Sequence, residues 1–132
     1  MTKICIDQEK TNAWFEMEGG GQIHLQLLDA DDFKEIKKKT VEKKIEFKRV
    51  EGKAERFNFE EVNDELQNEL FWDRIILEWK NLFDAKEAPI ECTKDTKILL
   101  MTKSKKFSTF IFESLKKLRE MDEQQSKEAE KN

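Results

Sequence analysis

Tyrosine is absent from this chain, histidine and proline occur once each, and 132 residues hold only two cysteines and four glycines. Any Ser–His–Asp or Cys–His pair would have to use His24, and no GxSxG elbow or comparable setting surrounds a Ser or Cys. His24 falls on the polar side of a predicted strand and reads as an exposed strand residue. One His and two distant Cys do not make zinc-ligand spacing, so no metal site is expected. Cys5 and Cys92 lack CxxC spacing and read as reduced thiols of a cytoplasmic protein, with a disulfide as the alternative. "EGGGQ" lacks both the GxGxxG order and the Lys-Ser/Thr of a phosphate loop, so it reads as a turn and no cofactor is expected. Long apolar runs are missing too. The opening "MTKICIDQEK" has no stretch of signal-peptide length, and no window approaches the roughly 20 apolar residues of a membrane span. These absences lead us to expect a soluble, non-enzymatic protein without a small-molecule substrate.

Charge is abundant instead. Charged residues make up 41% of the chain and hydrophobic ones 37%, while the net charge is only −4. Ten Phe and three Trp argue against disorder, because bulky aromatics supply the burial that disordered chains lack. With apolar material this sparse, the core is a candidate for completion by a second copy or another protein. Residues 34–56 hold ten Lys or Arg against five Glu, a local excess of +5. Glutamates interrupt that run and no aromatic platform accompanies it, so a solvated, charge-steering hairpin is preferred to a nucleic-acid patch.

The pattern predicts an α+β fold. "KICID" and "AWFEM" read as short strands, and "EGGG" leads into an alternating strand at Ile23, Leu25 and Leu27. "DADDFKEIKKK", acidic first and basic last, predicts a short helix over 30–39 with Asp29 as N-cap. "KKIEFKRVEGKAERFNFEEV" predicts a β-hairpin turning at "EGK". Antiparallel strands and hairpins thus occupy about 2–60. Three helices are expected to follow, over about 62–83, 94–103 and 105–121, with Pro89 ending the first and Thr93 and Ser104 capping the others. Residues 1–121 read as a single domain, and 122–132 as a charged, fraying extension.

The 62–83 segment carries the candidate site. On a helical wheel Val62, Leu66, Leu70, Trp72, Ile76, Leu77, Trp79 and Phe83 fill one half, and Phe71, Ile75 and Leu82 form a second stripe. Phe112 lies off the main stripe of the last helix in the same way. Phe71, Trp72, Ile75, Trp79, Leu82 and Phe112 are therefore the expected partner-binding residues, either for a second copy or for an amphipathic segment of a larger protein.

The order of these features resembles a group of small phage and prophage proteins classed with the tail assembly chaperones of long-tailed phages. The similarity runs from about Trp14 to Arg119, and its motif is Trp72, Asp73, Ile76 (or Ile75), Trp79, Pro89, Ile90, Cys92, Thr93 and Lys97. The resemblance implies a non-enzymatic chaperone of the bacterial host cytoplasm, often oligomeric. Such a protein binds the tape measure protein and helps recruit tail tube subunits. The alternative is a minor structural virion component, a neck or tail-associated subunit.

Overall fold

The computed structural model describes Thr2 and residues 10–130, so Cys5 and the strand expected at "KICID" lie outside the described residues. The described chain is α+β with antiparallel sheets. Its order is β1 (Asn12–Glu16), β2 (Gln22–Gln26), α1 (Ala30–Thr40), β3 (Val41–Val50), β4 (Lys53–Val62), α2 (Asp64–Ile75), β5 (Ile76–Lys80), α3 (Lys94–Lys103) and α4 (Lys105–Glu130). It divides into two compact units, one formed by residues 1–29 with 72–132 and the other by residues 30–71.

The first unit is a three-stranded sheet, ordered β1-β2-β5, with α3 and α4. Gly19 and Gly20 sit at φ of +99° and +96°, where a Cβ would be strained, and they let the chain reverse between β1 and β2. Alternation then does the rest. Ile23 and Leu25 of β2 turn to the core with no exposed surface, while Gln22, His24 and Gln26 face the other way. The core is completed by Ile76 and Trp79 of β5, Met101 of α3, and Phe107, Ile111, Leu115 and Leu118 of α4. The α4 residues recur at helical spacing and form one buried stripe. Each fully buried aliphatic side chain contributes about 1.5–3 kcal/mol of transfer free energy.

The second unit is α1, the β3–β4 hairpin and the start of α2. Two hydrogen bonds fix the base of the hairpin: the Asn63 amide donates to the Thr40 carbonyl at 2.8 Å, and Gln67 Nε2 donates to Thr40 Oγ1 at 3.1 Å. The Phe33 and Phe71 rings pack with centroids 5.6 Å apart. Beyond that base, every residue from Glu42 to Glu61 is exposed, so the hairpin is wet on both faces, not one.

The expected arrangement of N-terminal strands followed by three helices is overturned. There are four helices among the described residues, and strands and helices interleave. The helix expected over 62–83 stops at Ile75, and "ILEWK" becomes β5, pairing with β2. Two effects favour the switch. A run of β-branched and aromatic residues suits a pleated surface as well as a helix, and β2 has an open edge whose N–H and C=O groups need partners. A register shift between His24 and Leu25 lets Ile76 and Trp79, three residues apart, both reach the core. The hairpin extends to 41–62, and α4 continues to Glu130 instead of ending near 121.

Candidate partner-docking site

Trp79 sits at the centre of a structural clamp. It is 7% exposed, its indole N–H donates to the Ile90 carbonyl at 2.7 Å, and its ring meets Phe107 edge-on at 5.9 Å. The hydrogen bond to Ile90 pins the far end of the loop that follows β5. Within that loop Asp84 Oδ1 accepts from the Lys86 and Ala88 amides at 2.8 and 3.0 Å, and the Ile90 amide donates to the Leu82 carbonyl at 2.9 Å. Asn81 and Glu87 adopt φ of 58° and 63° to close the reversal. Thr93 then caps α3: its hydroxyl accepts from the Thr96 amide at 3.2 Å, and Thr96 Oγ1 accepts from the Thr93 amide at 2.9 Å.

Lys97 completes the clamp. Its ammonium is buried and donates to Asp73 twice, at 3.2 Å to the carboxylate and 3.1 Å to the backbone carbonyl. The motif residues Trp72, Asp73, Trp79, Ile90, Cys92, Thr93 and Lys97 thus tie the end of α2, β5 and the start of α3 together. Cys92 is half-buried, and burial pushes its thiol above the ordinary value while the Lys97 charge pulls the other way.

The clamp holds a cleft open beside it. About 270 Å³ in volume, it lies among the β1–β2 turn, the loop after β5 and the junction of α3 with α4. Leu82 and Phe83 line it, with Met17, Ile90, Leu100 and Phe107. Phe83 is 56% exposed there. A second depression of about 430 Å³ shares Met17, Glu18 and Lys106 with it and adds Lys105, Phe110 and Glu113. The result is an apolar trough with charges of both signs along its rim. Gly21 sets its depth, because a Cβ there would come within 2.7 Å of Leu82 Cδ2.

The six expected partner-binding residues do not gather on one surface. Trp79 is core; Trp72, Ile75 and Leu82 are half-buried against that core; Phe71 is half-buried beside Phe33; Phe112 is 56% exposed on α4. Leu82 alone among them lines the trough. Sequence reading placed Phe83 on the apolar half of the wheel and read the glycine turn, but it missed that turn's non-local link to Leu82. It also passed over the outer sheet face. There Trp14 stacks on His24 at 4.8 Å, Lys80 Nζ stands 4.7 Å from the Trp14 ring centroid, and His24 Nε2 lies 2.9 Å from Asn12 Oδ1. Among the described residues no helix is long and apolar enough to cross a membrane, and no group of His, Cys, Asp and Glu has the geometry to hold a metal ion.

Comparison with curated proteins and with solved structures returned no significant match to this chain. A family model described as the YdaY prophage protein matches residues 29–132, from the start of α1 to the end of the chain and including the whole clamp motif, and the chain belongs to that family.

Proposed function

We propose that this prophage protein is a non-enzymatic tail assembly chaperone. In this reading it acts in the bacterial host cytoplasm as an oligomer, binds an apolar helical segment of the prophage's tape measure protein and helps recruit tail tube subunits. The observation that carries the reading is Phe83, 56% exposed beside half-buried Leu82 at the mouth of an apolar trough. A holdase needs apolar surface that a partner helix covers and a charged rim that keeps the free protein soluble. Membership of a prophage family supplies the setting, and the resemblance of the Trp72–Lys97 motif supplies the kind of partner.

Co-expression with the tape measure protein of the same prophage tests it. The expected result is that the tape measure protein stays soluble and co-purifies with the wild type, while Phe83→Glu loses it without unfolding. Mass spectrometry of induced virions should miss the protein. Detecting it there at stoichiometric level favours a minor virion subunit, and a tape measure protein that is equally soluble without it removes the chaperone role.

A further inference from the structure

The β3–β4 hairpin projects two strands with no residue from Glu42 to Glu61 buried, and Phe47 is 69% exposed. Among the described residues β3 and β4 pair only with each other, so each has an open outer edge. A lone two-stranded hairpin is marginal in water, and an open edge is a template for another strand. Most edges of this kind are blunted; the charge pattern of β3 suits it to one particular partner.

The hydrogen-bond phase of the hairpin determines which groups are available. Glu51 and Gly52, at φ of 53° and 79°, form a two-residue turn flanked by the pair Val50↔Lys53. Both central residues in the left-handed region make this a type I′ turn, whose flanking pair is hydrogen-bonded. Even-numbered residues of β3 therefore direct their N–H and C=O groups to β4. Odd-numbered ones, Val41 to Arg49, direct theirs outward.

We infer that β3 pairs antiparallel with β3 of a second copy about a two-fold axis at Ile45, making a four-stranded sheet. This register joins odd residues to odd residues, as the outward groups require. It sets Ile45 opposite itself, Lys43 opposite Phe47 and Val41 opposite Arg49. On the other face it sets Glu42 opposite Lys48 and Lys44 opposite Glu46, each twice by symmetry, with no like charges opposed. The neighbouring registers do the reverse. A shift of two in one direction places Glu46 against itself and Lys44 against Lys48; in the other it places Lys44 against itself and Glu42 against Glu46. A shift of four toward the turn keeps Glu46 against Lys48 but shortens the ladder to residues 44–50. The β4 edge is poorer: its fullest register free of like-charge contacts brings only Lys53 and Glu61 together.

Such pairing is isologous and closed, so it stops at a dimer. It covers Phe47 with the Lys43 stem and satisfies the outer β3 edge. The inference rests on the hairpin alone and is independent of the tail-assembly reading.

Complementary charge variants of the full-length protein test it. Glu42→Lys with Glu46→Lys makes every one of those cross-strand contacts positive, and Lys44→Glu with Lys48→Glu makes every one negative. In sedimentation equilibrium the wild type is expected as a monomer–dimer equilibrium. Each double variant alone should be monomeric over the same concentration range, and an equimolar mixture should recover the dimer. Hydrogen exchange at the Lys43, Ile45 and Phe47 amides should slow in the wild-type dimer. Ile45→Pro, which removes an outward N–H only, should abolish dimerisation while the hairpin persists. A monomeric wild type, a double variant that dimerises on its own, a mixture that fails to associate, or open-ended assembly through β4 would each overturn the inference. None of these outcomes depends on whether tape measure protein is bound.

Discussion

Replacing Trp79 by alanine is the sharpest test of the clamp. Its side chain is 7% exposed, packs edge-on against Phe107 and donates its indole N–H to Ile90. Truncating a buried aromatic of this size costs about 3–5 kcal/mol, the transfer term and the cavity term together. Trp79→Phe separates the parts. It retains most of the ring burial but leaves the part-buried Ile90 carbonyl without its donor, a loss of at most about 1–3 kcal/mol, the range for a fully buried orphaned acceptor. Urea unfolding followed by far-UV circular dichroism measures both, and Trp14 and Trp72 remain as fluorescent reporters. The midpoints should fall in the order wild type, Phe variant, Ala variant, with slopes little changed. If Trp79→Ala unfolds within about 1 kcal/mol of wild type at an unchanged slope, Trp79 does not hold the clamp together.

Breaking the Lys97–Asp73 pair should also destabilise. Lys97→Ala is expected to cost about 1–3 kcal/mol, below the figure for a fully buried pair because Asp73 is partly solvated, and a double-mutant cycle with Asp73→Ala measures the coupling. Thr93→Ala removes a cap from α3 and should cost about 0.5–2 kcal/mol in the same unfolding assay. Cys92 makes alkaline stability pH-dependent. Burial raises its thiol pKa in the folded state, so its contribution is complete below the unfolded thiol value and is lost as pH rises through the higher folded one. Cys92→Ala should flatten that alkaline limb, and alkylation of native Cys92 should accelerate only at a higher pH than a model thiol. Gly21→Ala should displace Leu82 and fill part of the trough. A stability loss of no more than about 1–3 kcal/mol is expected, with weaker retention of a tape measure fragment in pull-down.

Several elements could be read directly because short-range physics determines them. Gly19 and Gly20 announce a turn whose positive φ only glycine adopts freely, and Glu51-Gly52 marks the hairpin reversal. Thr93 and the apolar spacing from Phe107 to Leu118 specify capped and amphipathic helices within windows of a few residues. The segment 76–80 shows where that reasoning stops. Its apolar spacing fits a helical wheel, yet it is a strand, because β2 offered hydrogen bonds from about fifty positions away and a register shift made Ile76 and Trp79 fit the sheet. The candidate site was hidden for the same reason. Leu82 meets the glycine turn, Trp79 meets Ile90, and Lys97 meets Asp73 only after the sheet has closed. Sequence by itself determined the turns, the caps, the helix faces and the α+β mixture, since each depends on neighbours in the chain. Tertiary structure decided β5, the clamp and the trough, since their energies come from pairings that no local stretch contains.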